Sequence, residues 1–128
     1  MESLLPMTPL VRNRDELEPN EDGRVPLFGD PDAGMPYAFR FRVLPGDPGE
    51  RPHHHAGFEL GTVLEGEVWI AIGEPVHRAS AVRVGTGGFL YVPPDVPHAM
   101  WTDAEALVEV HGVGPRGPGG FLDGEAAG

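Results

Sequence analysis

The 128-residue chain has no cysteine. That absence excludes disulfides, thiolate metal ligands, iron–sulfur clusters and a cysteine nucleophile. Basic residues are scarce: 9 Lys and Arg stand against 20 Asp and Glu, a formal net charge of −11. No window gathers those few cations into a patch. A nucleic-acid backbone or an anionic membrane surface would be repelled over most of such a surface. No apolar run approaches the roughly 18 residues that cross a bilayer. The N-terminus lacks the basic region and apolar core of a secretory signal. The expected location is therefore cytoplasmic, with no nucleic-acid and no membrane partner.

What the chain has in abundance is punctuation. Its 19 Gly and 15 Pro make up more than a quarter of the residues and divide the rest into short apolar runs. The length fits one domain, long enough to bury a core without staples. From Tyr37 to Leu44 the pattern alternates, with Phe39, Phe41 and Val43 on one face and Arg40 and Arg42 on the other. Leu60–Leu64 and Glu67–Ile72 flank Glu65-Gly66 with the spacing of a β-hairpin. Val82–Val84, Phe89–Val92, His98–Thr102 and Ala106–His111 follow as further short strands. No segment carries a helical period. The expected fold is all-β, a small antiparallel barrel or sandwich over residues 35–113. Residues 1–34 read as a Pro-rich arm, in which Leu10–Arg12 either trails on the surface or adds a strand to a sheet edge or a second subunit. Residues 114–128 read as a flexible Gly/Pro-rich tail, pinned at Phe121 and Leu122.

The chemistry concentrates in one stretch, Arg51-Pro52-His53-His54-His55-Ala56-Gly57-Phe58-Glu59. It can be written H-x-H-x3-E-x6-G, ending at Gly66. Residues two apart on a strand share a face, so His53 and His55 can reach one ion while His54 points away. The run is internal and beside strands, unlike a terminal tag. Glu59 stands in an apolar stretch where an unpaired carboxylate is costly. It either ligates a metal or acts as an acid or base beside one. A second block, G-x5-P-x-D-x2-H, comprises Gly87, Pro93, Asp95 and His98 and supplies a further imidazole from a distant strand. Imidazoles with a carboxylate suit one borderline divalent ion: iron, manganese, nickel, zinc or copper.

These two blocks, in this order and with this gap, resemble the paired motifs of the cupin superfamily. The segment Glu109–Pro115 further resembles a group of small bacterial single-domain cupins (monocupins). The resemblance implies a double-stranded β-helix, a small jelly-roll barrel, with His53, His55, Glu59 and His98 as metal ligands and a homodimeric assembly. Three positions depart from the family pattern without touching a ligand: Gly46 is one residue out of register, Asp95 stands for a glycine and Thr102 for an asparagine.

Further pocket candidates follow from strand parity. Met100 and Thr102 share the parity of His98. Glu109 and His111 share a face that either meets solvent or lines the barrel mouth. Arg40 and Arg42 either cover the outer face of a strand or turn one guanidinium inward to a substrate carboxylate. The expected function is a metal-dependent enzyme on a small organic molecule. The resemblance suggests dioxygenase-type oxidation, isomerisation, cyclisation or lyase chemistry. The alternatives are a non-catalytic ligand-binding or sensor module and a structural zinc site.

Overall fold

The computed structural model describes residues 5–117 and 120–122. Ten strands run through it: β1 (Arg24–Phe28), β2 (Pro36–Val43), β3 (His53–His54), β4 (Glu59–Glu65), β5 (Glu67–Ile72), β6 (Val82–Gly85), β7 (Phe89–Val92), β8 (His98–Trp101), β9 (Ala106–Val113) and β10 (Gly120–Phe121). Two five-stranded sheets result, ordered β1-β2-β9-β4-β7 and β10-β3-β8-β5-β6. Strands that are neighbours in a sheet pair antiparallel. This is the two-sheet jelly-roll barrel. No helix among the described residues is long and apolar enough to cross a membrane.

The period-two pattern explains the core. On β2, Tyr37, Phe39 and Val43 are buried, and on β9 so are Ala106, Val108 and Val110. Val63 of β4 and Val68 of β5 join them. Their side chains leave water together between the sheets, which is the main favourable term for a chain without staples.

Of its two alternatives, Leu10–Arg12 takes the surface one, with no strand and exposed residues. Three features differ from the sequence expectation. The arm's strand is instead β1, hidden in the sequence by Pro26. Because β1 is an edge strand pairing only with β2, a residue without an N–H is tolerated there. The stretch from Glu59 to Ile72 is a corner, not a hairpin: β4 pairs with β7 and β9, while β5 pairs with β6 and β8 in the other sheet. The corner turns at Gly66, whose φ of 75° and contact with the Glu105 carbonyl and Ala106 leave no room for a Cβ. Finally, residues 114–117 and 120–122 of the expected flexible tail are built into the fold, while the rest of that tail lies outside the described residues. The Gly114 N–H donates to Met35 O, Arg116 N–H to Pro31 O, and Gly57 N–H to Arg116 O. β10 then pairs with β3, Gly120 opposite His54 and Phe121 opposite His53.

Candidate metal centre

His53 and His98 are direct cross-strand partners, and their ring centroids lie 4.3 Å apart. His55 follows two residues after His53, on the same face, with its ring 5.2 Å from His53 and 5.4 Å from His98. His54 turns the other way, its Nδ1 3.6 Å from Asp95 Oδ1. Asp95 adopts φ 59°, the left-handed conformation that suits glycine and that aspartate tolerates better than most residues. Its N–H donates to His55 O at 2.7 Å, so the turn before His98 is tied to the His53–His55 stretch.

The protons on the rings are fixed by their partners. His53 Nδ1 donates to Arg51 O at 2.7 Å and His98 Nδ1 donates to Val96 O at 2.9 Å. A carbonyl only accepts, so each neutral ring keeps its lone pair on Nε2. His55 Nε2 accepts from Arg116 Nη2 at 3.2 Å, and a guanidinium only donates. One ring nitrogen from each of His53, His55 and His98 lies within 4.8 Å of the others. Metal–imidazole bonds of about 2.0–2.1 Å place ligand atoms roughly 3–4 Å apart, so small side-chain movements suffice. Burial lowers all three pKa values, with the imidazoles and Arg116 adding to the effect, and His55 falls to about 4. Three neutral imidazoles at pH 7 need shed no proton to bind a cation. The residues present can therefore hold a metal ion.

Glu59 opens β4 and is 8% exposed. Its Oε1 lies 3.2 Å from His55 Nε2. Arg116 Nε and Nη2 reach the same oxygen at 2.9 and 2.6 Å. Burial pushes the Glu59 carboxyl up, but Arg116 and the nearby histidines outweigh it and leave the pKa below its ordinary value. An ionised carboxylate of low basicity is a poor general base at neutral pH and a good partner for a cation.

The centre lies on the wall of a cavity of about 250 Å³ lined also by Arg24, Phe39, Met100 and Arg116. Of the further candidates, Met100 lines it. Thr102 does not: it lies past the end of β8, and its Oγ1 donates to Glu67 O at 2.9 Å. Arg40, Arg42, Glu109 and His111 lie on the outer face of their sheet. Arg40 stands opposite Glu109 in the β2–β9 register, and the pair closes at 2.8 Å, with His111 2.7 Å from the other carboxylate oxygen. Arg42 reaches Glu105 at 3.2 Å and Glu65 at 3.6 Å. The same alternation that buries Phe39 and Val110 puts these four residues outside.

Arg24 and Arg116 are cavity residues that the strand pattern does not reveal. Burial, and next the Arg116 charge, lower the Arg24 pKa. The sequence signals are faint: an arginine opening an apolar run interrupted by Pro26, and a lone arginine in a Gly/Pro-rich segment.

Residues 39–113 match the family described as Cupin domain. No curated protein sequence matches the chain. Among solved structures, Fe(II)-HppE with an alternative substrate is similar at TM-score 0.62 and 24% identity, covering 84% of this chain and 62% of that one. Hydroxypropylphosphonic acid epoxidase from S. wedmorenis gives 0.60 and 25%, covering 80% and 58%. The polyketide cyclase RemF from Streptomyces resistomycificus gives 0.69 and 20%, covering 90% and 86%. The chain thus spans about three-fifths of the length of the first two.

Proposed function

The chain belongs to the Cupin domain family, and from that premise we propose that it is a metal-dependent enzyme acting on a small organic molecule. The observation that carries this reading is the set of three neutral imidazoles gathered on the wall of one cavity. His53, His55 and His98 would hold a single divalent ion, and Glu59 would complete the set by exchanging Arg116 for the metal. The ion would supply Lewis acidity toward a substrate oxygen. His53 and His98 stay oriented through their bonds to Arg51 O and Val96 O. The apolar wall from Phe39, Ile70 and Leu90 excludes water from the substrate body.

Structures of similar fold include an Fe(II)-containing epoxidase and a polyketide cyclase. They support oxidation and cyclisation; isomerase and lyase chemistry rests on the family resemblance alone. With four protein ligands a tetrahedral zinc would be filled, whereas a six-coordinate ion would keep two open positions; the cavity beside the imidazoles favours the open site over a purely structural zinc. The test is an oxygen-uptake and product screen with enols and catechols on metal-loaded protein, metal-stripped protein and His98→Ala. Turnover confined to the loaded wild type is expected. Turnover that survives both metal removal and the substitution would overturn the reading.

A further inference from the structure

The metal ligands lie inside the family-matched span, but the two arginines of the cavity do not. Arg24 comes from β1 and Arg116 from the segment after β9, on either side of residues 39–113. Both converge on one ring: their guanidinium carbons lie 4.9 and 5.6 Å from the Phe39 centroid. Arg116 is engaged by Glu59. The Arg24 guanidinium forms no salt bridge and no hydrogen bond among the described residues; the carboxylates of Asp22, Glu59 and Asp32 act on it through charge alone.

The charges do not balance. The cavity wall carries two guanidinium cations and one carboxylate. That is an excess of one positive charge in a chain whose net charge is −11. A divalent ion would widen the excess. Partly buried cations close enough to repel each other are retained at a cost unless each is matched by an anion, and Glu59 matches only Arg116. Most of the remaining wall is apolar, including Phe41, Val92 and Val108. The volume of about 250 Å³ lies just below the roughly 300–1,000 Å³ of pockets for drug-sized ligands.

We propose that Arg24 and Arg116 form an oxyanion subsite, and that the substrate is a small organic acid with a carboxylate or phosphoryl head on an apolar body. This deepens the enzymatic reading and rests on the cavity being the substrate site. The guanidinium fork matches both heads bidentately. Arg24 packs on Phe39, and the Arg116 backbone is fastened to Pro31 and Gly57, so little further ordering is needed.

The test is calorimetric titration of the full chain, metal-stripped and zinc-loaded, with benzoate and phenylphosphonate against the neutral isosteres benzamide and benzyl alcohol. At least one anion is expected to bind roughly tenfold or more tighter than its neutral partner. Arg24→Gln should remove that preference while metal content and melting temperature stay near wild type, and Arg24→Lys should recover part of it. The better anion then identifies the head. Equal binding of acid and isostere, a preference that survives Arg24→Gln, or no binding of either anion would overturn the proposal. Metal content is read separately. An acid preference in protein that takes up no metal would leave this subsite standing and remove the metalloenzyme reading; metal uptake without acid preference would do the reverse.

Discussion

Two nitrogens of Arg116 converge on one oxygen of Glu59, Nε at 2.9 Å and Nη2 at 2.6 Å, across 57 residues of chain. The same Nη2 also donates to His55 Nε2 at 3.2 Å. Arg116 therefore engages two of the acceptors that a metal would use. It is an internal cation standing beside a site for an external one.

The first prediction concerns that exchange. In metal-free protein, Arg116→Gln leaves the Glu59 carboxylate buried without its charge partner, at a cost on the order of 1–3 kcal/mol or more. Added zinc should narrow the gap to wild type, because an ion then neutralises Glu59. Urea unfolding with and without metal measures both. A gap that metal leaves unchanged contradicts the exchange.

The second concerns acid. His55 titrates at 6.5 when free of its surroundings and at about 4 in the fold. Below 6.5 the unfolded chain takes up a proton that the folded one refuses, so stability falls with falling pH until about 4. His53 and His98 are shifted in the same direction. Glu59, lowered from 4.5, adds a loss that begins only as the pH drops through that value. Over that range His55 alone accounts for a loss of up to about 3 kcal/mol. Metal affinity should fall over the same range as protons compete for the lone pairs. Melting curves from neutral pH down to about 4 should therefore be flatter for metal-free His55→Gln than for wild type; identical slopes would contradict this account of His55.

The third concerns Gly114. A Cβ there would run into the Ala33 and Pro31 carbonyl oxygens, which are backbone and cannot turn aside. Gly114→Ala should push the following segment away and unseat Arg116. The expected phenotype is the metal-dependent stability loss of Arg116→Gln, larger by the cost of the backbone shift. Wild-type melting behaviour would show that the segment yields without consequence.

The fourth is a contrast on the outer face. Arg40→Gln and His111→Gln touch a partly exposed cluster around Glu109. Each should cost no more than about 1 kcal/mol and leave metal content unchanged. Loss of metal in either variant would mean that this face communicates with the cavity.

Much of this architecture is legible in the chain because it is local. Period-two alternation separates Phe39 and Val43 from Arg40 and Arg42, and the same parity sets His53 and His55 on one face with His54 on the other. Asp95 shows that a departure from a motif can keep the motif's backbone, since it takes the φ that a glycine would. The unread features are those fixed by distant partners. Pro26 marks a strand break everywhere except on an edge, and whether β1 is an edge depends on β2. Spacing around Gly66 fits a hairpin, but pairing with β9 and β8 splits the two strands between sheets. Arg116 reaches Glu59 only because Met35, Pro31 and Gly57 hold the chain after β9, and no local period encodes that.

The most direct test is elemental mass spectrometry on untagged protein, purified without chelator and then offered each of the five candidate divalent metals, beside His98→Ala. The expected result is about one ion per chain in the wild type and close to none in the variant, with both proteins folded by circular dichroism. Wild-type protein that retains no ion from any of the five, or a variant that retains as much as the wild type, would contradict the three-histidine centre.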